Sequence, residues 1–384
     1  FMNHCIIIFY QVVARNNMAV AKQRNRKQKI IVALSGGVDS AVAAQLLKEE
    51  GHEVIGVYLE LWPDDYYQST GQEEKKEPWA DAQAVCRQLG IPFYALNCAQ
   101  EFKRRVVNYF LAAYSSGLTP NPCVVCNKQV KFRRLIRYAH QIGFDAVASG
   151  HYVRLVKDAQ RYELWRAKDK AKDQSYFLYQ LSQVDLARLY FPLGNLTKNE
   201  VRQLAENYHL PVANKKDSQE ACFINNGLPN FLQRYLSLTP GPIVDSAGQQ
   251  IGEHAGLPLY TIGQRRGIKI GGSGPYYVRG YDFLANNLLV TSRVDDPQLF
   301  TDSFLIPQLF WSSGRRPRQP VDCQVVIRYH HQPLDCRLTR EAQGGWRVAL
   351  ARPERSVTPG QSAVFYEGDK LLGGGVIALL DTIC

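Results

Sequence analysis

The sequence has no apolar run that approaches the roughly 20 residues of a membrane-spanning helix, which excludes a helical integral membrane protein. Its apolar start, Phe1 to Tyr10, has no basic segment and no clear cleavage site of small residues after it, so a secretory signal is disfavoured. We expect Phe1 to about Gln28 to be a disordered extension outside the fold, with Met18 as a candidate true start.

The nine cysteines show no spacing typical of a disulfide framework. That absence indicates a reducing compartment, and we predict a cytoplasmic protein. In such a compartment the cysteines that matter for function are reactive or ligating ones.

The sequence has few acidic residues relative to basic ones. Its 46 lysines and arginines outnumber its 35 aspartates and glutamates, which gives a formal charge of +11. This excess suits a polyanionic partner such as RNA, although a solvated basic surface is the simpler alternative. At 384 residues the chain is long enough for two or three domains. It shows no internal repeat.

A glycine loop organises the first half of the chain. Four apolar residues, Ile30 to Ala33, predict a buried strand of a parallel sheet, and the residues after Ala41 predict a helix that ends at Gly51. Between them lies SGGVDS, Ser35 to Ser40, in which two glycines expose backbone N–H groups at a helix start. This arrangement is typical of phosphate binding, and a turn without a ligand is the alternative.

The loop lacks the Gly-Lys-Ser/Thr ending of a Walker-type phosphate loop, which disfavours a kinase-like or GTPase-like protein. Asp39 is better placed to approach a magnesium ion than a phosphate. SGGVDS resembles the pyrophosphate loop of the ATP pyrophosphatase superfamily, whose members cleave ATP between the α and β phosphates.

Strands alternate with helices down to about Gly150, which predicts an α/β fold with a doubly wound parallel sheet. The resemblance of SGGVDS to the pyrophosphate loop implies that this sheet is of the adenine nucleotide alpha hydrolase kind. A polar stretch from Pro63 to Pro78 predicts a surface loop, and Tyr152 to Arg166 a hairpin. The capping box of Thr197 and Glu200 predicts the start of a helix that reaches about Tyr208. Short alternating runs dominate after about Gly227 and predict β-rich, barrel-like parts. We expect an extension (1–28), a nucleotide-binding catalytic domain (29–226), a small central domain (227–296) and a C-terminal barrel (297–384).

A Cys-x-x-Cys pair, Cys123 and Cys126, follows two prolines at the start of a basic helix. We expect the helix dipole and nearby cations to lower the pKa of these thiols. A structural zinc site usually needs a second such pair, which the sequence lacks, and the context does not resemble a thioredoxin-like redox pair. A third interpretation needs a distant cysteine, for which Cys222 is the candidate, although an inert buried cysteine is the alternative for Cys222 alone.

Six motifs together resemble the tRNA-specific 2-thiouridylases in order and spacing. They are SGGVDS at 35–40, TPNPC-x-x-CN at 119–127, GHY at 150–152, KDQSYF at 172–177, KDSQEACF at 216–223 and YTIGQRRG at 260–267. The resemblance covers about Lys29 to the C-terminus, and it implies an enzyme, a tRNA-uridine 2-sulfurtransferase.

The resemblance implies that ATP adenylates the C2 oxygen of a wobble uridine in tRNA and that a sulfur nucleophile then displaces AMP. It makes Cys126 the nucleophile and Cys222 the carrier of a persulfide sulfur, supplied by a sulfur-donor protein such as a cysteine desulfurase or a sulfur relay. A disulfide between the two would close each cycle. A mobile loop would have to close over the uridine to join them.

The same resemblance implies three sets of binding residues. The ATP set is Ala33, Leu34, Ser35, Gly36, Gly37, Val38, Asp39, Ser40, Leu59 and Gly150. The target-base set is Asn121, Pro122 and Cys123. The tRNA set is His151, Lys172, Asp173, Gln174, Arg328, Tyr329 and Gln361. We expect the body of the tRNA to meet Arg265, Arg266, Lys269, Arg279, Arg315, Arg316 and Arg318 through its phosphates.

Cys123 stands where some members of the family have an aspartate. Three thiols, Cys123, Cys126 and Cys222, are therefore candidate ligands of an iron–sulfur cluster such as [4Fe-4S] with one iron open to sulfide. This cluster route and the persulfide route both remain open. Two other functions also remain: an amide-forming pyrophosphatase-loop synthetase and a non-catalytic RNA-binding protein.

Overall fold

The computed structural model describes residues 27–62, 79–159, 161–217, 221–224, 227–268, 270–271 and 275–378. The predicted surface loop at 63–78, Lys269 and most of the predicted extension lie outside these ranges. Gln28 belongs to the fold, because its carbonyl accepts the N–H of Glu53 at 2.9 Å and its own N–H donates to His52 Nδ1 at 3.2 Å. The predicted extension therefore ends too late by at least this residue.

The first half of the chain alternates strands and helices, as its hydrophobic pattern predicts. In chain order the elements are β1 (Lys29–Ala33), α1 (Val38–Glu49), β2 (Glu53–Glu60), α2 (Ala80–Leu89), β3 (Phe93–Asn97), α3 (Ala99–Phe102), α4 (Asn108–Ser115), α5 (Pro122–Cys126), α6 (Phe132–Gln141), β4 (Ala146–Ser149), β5 (Val153–Asp158), β6 (Arg161–Arg166), α7 (Gln183–Leu186), β7 (Leu189–Tyr190) and α8 (Lys198–Asn207).

Two π-helical turns interrupt the long helical segments between β3 and β4. One, Lys103–Val107, joins α3 to α4, and the other, Asn127–Lys131, joins α5 to α6. Such turns are rare and are frequent at functional sites. Here Asn127–Lys131 directly follows the Cys-x-x-Cys pair and leads into the basic helix.

Five parallel strands form the first sheet in the order β3-β2-β1-β4-β7. β1 is central, and its residues Ile30, Ile31 and Val32 are fully buried because helices or other layers cover both faces. The carboxyl ends of β1, β2 and β4 therefore meet at one edge, where ligands bind in sheets of this kind.

The second half of the chain is rich in β-strands. Its elements are α9 (Leu228–Tyr235), β8 (Gly241–Val244), β9 (Gln250–His254), β10 (Tyr277–Asp282), β11 (Asn287–Thr291), β12 (Phe300–Ile306), β13 (Leu309–Trp311), β14 (Val321–Val326), β15 (Leu334–Arg340), β16 (Trp346–Arg355), β17 (Ser362–Glu367) and β18 (Lys370–Val376). β8 to β11 form a four-stranded sheet, and the later strands form a larger one.

The β5–β6 hairpin connects the two halves. It has the predicted antiparallel pairing, yet it extends the C-terminal sheet, where Trp165 of β6 pairs with Lys370 of β18. One hydrophobic cluster accordingly contains Ile31 of the parallel sheet, Tyr176, and Val364 of the C-terminal sheet. The parallel α/β part followed by β-rich parts confirms the predicted fold class. Within the described ranges no helix is both long and apolar enough to span a bilayer.

Candidate active site

A cleft of about 440 Å³ opens at the carboxyl ends of β1, β2 and β4. Of the predicted ATP set it is lined by Ala33, Leu34, Ser35, Asp39, Ser40, Leu59 and Gly150. Of the other predicted residues it is lined by Pro122, Cys123, Cys126, His151, Gln174 and Cys222. Ala33 and Cys222, which are 189 positions apart in the chain, thus share one cavity.

The glycine loop is folded tightly on itself. The Ser35 N–H donates to Ser40 Oγ at 3.2 Å, and that hydroxyl donates to the Gly37 carbonyl at 3.1 Å. Gly36 has φ +72°, a conformation that other residues rarely adopt. Gly150 must also be glycine-sized, because a Cβ there would lie 2.7 Å from the backbone nitrogen of Ser40. The end of β4 therefore packs directly on the start of α1.

Two lysines from distant parts of the chain hold this loop. Lys198 Nζ lies 2.7 and 2.9 Å from the two carboxylate oxygens of Asp39, and Lys215 Nζ donates to the Gly36 carbonyl at 2.9 Å. Tyr152 donates to Asp39 Oδ1 at 2.8 Å. The loop thus has nearby ammonium groups although its own motif lacks the Walker lysine. The carboxylate that the sequence assigned to a magnesium ion is engaged by an ammonium here.

Lys198 was not predicted as a site residue. The sequence predicts the capping box of Thr197 and Glu200, which the structure confirms with a Thr197 N–H to Glu200 Oε2 hydrogen bond of 2.6 Å. This box places Lys198 at the first turn of α8. Its contact with Asp39 spans 159 positions, so no local pattern signals it.

Asp217 extends the charged side of the cleft. Its carboxylate lies within 2.8 Å of Lys198 and Arg202 and 3.0 Å from Lys172. Partial burial disfavours the carboxylate, but the hydrogen bonds from Lys198 and Lys172 outweigh it and lower the pKa of Asp217 to about 2. Lys172, a predicted tRNA contact, is therefore an ion-pair partner in this structure.

The opposite side of the cleft holds the three candidate thiols. Cys126 is only 7% exposed and ends α5, Cys123 is half-buried in the same helix, and Cys222 is exposed as a residue. Burial raises the pKa of Cys126 to about 12 and that of Cys123 to about 11, against the opposing effect of the Lys131 ammonium. Burial of the sulfur atom also raises the pKa of the Cys222 thiol, although the residue as a whole is exposed.

The expectation of lowered thiol pKa values is therefore wrong. It assigned the dominant effect to the helix dipole and the cations, but desolvation of the thiolate is larger at these positions. Lys131, which lines the cleft, is the cation that acts in the expected direction on both helix cysteines.

His151 lies at the end of β4 in an aromatic environment. Its ring centroid is 5.6 Å from that of Phe132, and Nδ1 lies 2.8 Å from Ser149 Oγ. Burial, together with the Lys131 charge, holds the pKa of His151 well below its usual value. The ring is neutral near pH 7, so it can accept or donate a hydrogen bond but cannot attract a phosphate by charge.

Of the remaining predicted tRNA residues, Asp173 and Tyr329 line a second cavity of about 270 Å³, together with Tyr176. The KDQSYF segment separates the two cavities, because Gln174 and Phe177 line the cleft instead. Asn121 starts α5 and hydrogen-bonds the Tyr176 hydroxyl.

Several predicted residues line neither cavity. They are Gly36, Gly37 and Val38 of the loop, together with Asn121, Lys172, Arg328 and Gln361. The loop residues still shape the backbone, and Val38 is 4% exposed in the core. Within the described ranges, no group of three histidine, cysteine or acidic side chains is arranged to hold a metal ion.

Comparisons with known proteins cover nearly all of this architecture. Residues 28–226 match the family model described as the tRNA methyl transferase HUP domain, residues 229–292 the tRNA methyl transferase PRC-barrel domain, and residues 301–377 the aminomethyltransferase beta-barrel domain.

Among curated relatives, the chain is 49% identical over 357 residues to the tRNA-specific 2-thiouridylase MnmA of Chloroflexus aggregans, which covers 91% of this chain and 98% of that protein. It is 43% identical to the protein of the same name from Pseudomonas aeruginosa, over 92% of this chain and 95% of that protein. The protein of the same name from Idiomarina loihiensis is 42% identical over 92% of this chain and 96% of its own length.

Proposed function

Because this chain belongs to the tRNA-specific 2-thiouridylase family, we propose that its central cleft is where the ATP-dependent thiolation of a tRNA uridine takes place. The observation that carries the proposal is that one cleft contains both the glycine loop and the three thiols. The reaction activates the C2 oxygen of the uridine with ATP and then replaces it by sulfur, so the ATP-binding loop and the thiols must both reach the C2 carbon.

The loop side binds ATP. The backbone of Ser35 to Ser40 takes the phosphates at the start of α1, and Lys198 and Lys215 add positive charge around them. The apolar ends of β1 and β2, with Leu34 and Leu59, face the cleft and suit the adenine. Magnesium comes with ATP as part of the substrate, and Asp39 fits it only when Lys198 releases the carboxylate.

The thiol side replaces oxygen by sulfur. The terminal sulfur of a Cys222 persulfide bonds to C2 of the adenylated uridine, and AMP leaves with the C2 oxygen. The Cys126 thiolate then attacks the Cys222 sulfur, which releases the thiolated uridine and forms a Cys126–Cys222 disulfide. A dithiol or two external thiols must supply two electrons and two protons before the next cycle. Cys126 in a desolvated site has to lose its proton first, and Lys131 favours that loss.

The arrangement of the thiols supports the persulfide route over a resident iron–sulfur cluster. Cluster ligands must converge as thiolates, whereas the three cysteines do not form a metal-holding group in the described ranges and burial favours their protonated forms. We therefore derive no step through a cluster.

Partners and division of labour follow as proposals. The substrate is tRNA, a sulfur-donor protein loads Cys222, and the cytoplasmic location stays a prediction. We propose that residues 29–226 catalyse, and that the β-rich parts, 227–296 and 297–384, bind the tRNA body. Lys172, Asp173, Gln174, Arg328, Tyr329 and Gln361 remain proposed tRNA contacts, and His151 a proposed uncharged one.

The test is reconstitution with unmodified tRNA, ATP, magnesium, a thiol reductant and a persulfide donor, such as a cysteine desulfurase with cysteine, under anaerobic conditions. After digestion of the RNA, mass spectrometry should find 2-thiouridine, and AMP should form with it. AMP without thiolated uridine would support an adenylating enzyme with another substrate. Iron analysis of the same active preparation decides the sulfur route, since stoichiometric iron required for activity contradicts the persulfide account.

A further inference from the structure

A third, strongly basic cavity lies on the other side of the helical segments that line the cleft. It has a volume of about 470 Å³ and is lined by the five arginines Arg104, Arg105, Arg133, Arg134 and Arg137, with Glu101 as its acidic residue. None of these residues belongs to the predicted site. We call it the arginine cavity.

The arginine cavity and the cleft share the two helical segments that form their walls. From the segment of α3 and α4, Phe102 and Val106 line the cleft while Arg104 and Arg105 line the arginine cavity. From the segment of α5 and α6, Cys126 and Lys131 line the cleft while Arg133, Arg134 and Arg137 line the arginine cavity. One helix is about 10 Å wide. A stacked nucleic-acid strand, at about 3.4 Å per nucleotide, spans that distance with roughly three nucleotides.

The positive charge in this cavity is not neutralised within the described ranges. Arg105 is engaged by Glu101 at 3.1 Å and by Gln129 at 3.2 Å. Arg104, Arg133 and Arg137 form no ion pair with any described acidic residue, and Arg134 Nε is buried without a hydrogen-bond partner in that part of the chain. Guanidinium groups held together repel each other, so a bound anion would stabilise the arrangement.

We infer that the arginine cavity binds phosphodiester groups of the tRNA, next to the nucleotide that enters the cleft. All five cations are arginines, whose planar N–H forks hold phosphate oxygens in pairs. The inference rests on the proposed function, because it takes the tRNA as the molecule that reaches the cleft. A protein with an acidic surface offers carboxylates to the same groups, and the test below separates it.

The experiment measures binding of labelled, unmodified tRNA by fluorescence anisotropy, without ATP, across a series of salt concentrations. The test variant is Arg104→Ala, Arg133→Ala, Arg137→Ala in one chain. The matched control is Lys27→Ala, Arg87→Ala, Lys157→Ala, which removes the same charge from exposed cations outside both cavities and outside residues 227–384. A third variant replaces the three cavity arginines by lysine.

We expect the test variant to lower the slope of log affinity against log salt by about two to three, since each lost phosphate contact removes roughly 0.7 to 0.9. The control should keep the wild-type slope, and the lysine variant should recover most of the slope with weaker binding. Equal slopes for the test variant and the control would overturn the inference.

Two further arms exclude other ligands. If the test variant keeps tRNA binding but loses thiolation only when a persulfide-donor protein replaces a small-molecule persulfide, the cavity binds an acidic protein and the inference is wrong. If titration with inorganic phosphate alone shows binding that the test variant loses while its tRNA slope is unchanged, the cavity is a free-phosphate site and the inference is also wrong. Failure of wild-type thiolation concerns the proposed function instead, because the binding slopes do not depend on catalysis.

Discussion

The two sides of the cleft handle charge in opposite ways. On the loop side, Asp39, Lys198 and Asp217 form a continuous ion-paired chain with Tyr152 and Lys172 at its ends. On the thiol side, burial keeps the sulfurs neutral and Lys131 is the nearby cation that favours their thiolates.

This difference fits the two halves of the reaction. Polyphosphate needs fixed positive groups and backbone donors, whereas an adenylated uridine must be kept from water until sulfur attacks it. A buried thiol is unreactive until it loses its proton, so the thiol side does not react with every electrophile that passes. The comparison predicts that substitutions on the two sides fail in different ways.

The largest effect is expected for Cys126→Ala. Formation of 2-thiouridine should fall by at least about 10³-fold, as for other removed nucleophiles, while ATP-dependent adenylation and tRNA binding persist. Cys323→Ser, in the C-terminal sheet, is the control and should keep full activity. Thiolation by Cys126→Ala at a rate near wild type would remove the thiol side from the mechanism.

Lys198→Met should affect the loop side alone. Asp39 and Asp217 lose a counter-ion that is itself only 8% exposed, so the free energy of unfolding should fall by about 1–3 kcal/mol and ATP should bind at least about tenfold more weakly. The control Lys168→Met removes an exposed lysine paired with Glu200 and should cost less than about 1 kcal/mol. Both are measured by urea unfolding and ATP titration, and unchanged ATP affinity in Lys198→Met would contradict the assignment.

Asp217 makes the loop side sensitive to acid. Its folded-state pKa of about 2 lies below the ordinary value, so its stabilising effect is present above about pH 4 and is lost as the pH falls towards 2. In Asp217→Asn this part of the pH dependence of the free energy of unfolding, about 1–2 kcal/mol after allowance for solvent screening, should disappear. Urea unfolding at a series of pH values measures it. The control Asp322→Asn breaks an exposed ion pair with Arg337, and its curve of unfolding free energy against pH should stay close to that of the wild type. Identical curves for wild type and Asp217→Asn would refute the prediction.

The thiol side should show its protonated state in alkylation. The rate of Cys126 modification by iodoacetamide, followed by peptide mass spectrometry, should rise about tenfold per pH unit between pH 7 and 9.5 without a plateau, because its pKa is about 12. Lys131→Ala should slow the reaction a few-fold by removing the favourable charge. A plateau below pH 9 would mean that the cations dominate after all, as the sequence suggested.

Local patterns predicted the elements, and distant contacts decided the electrostatics. Hydrophobic runs and Gly36 were enough to predict the strand, loop and helix, and the capping box predicted the start of α8. The ion pair of Lys198 with Asp39 joins residues 159 positions apart, and no pattern near either residue indicates it. The prediction of a lowered pKa for Cys126 was wrong for the same reason, because the apolar residues that bury its thiol come from elsewhere in the fold.

The family resemblance supplied what local patterns could not. It brought Cys222 together with Cys126, and both line one cleft. It gave no indication of the arginine cavity, whose five arginines lie in two separate helical segments and become one surface only when the segment of α3 and α4 packs against the segment of α5 and α6.

The most direct test is a single turnover without reductant, with enzyme preloaded as a persulfide on Cys222. We predict one 2-thiouridine and one Cys126–Cys222 disulfide for each active site, both quantified by mass spectrometry, and no second turnover until a thiol is added. Formation of 2-thiouridine with Cys126 and Cys222 left unlinked would contradict the account.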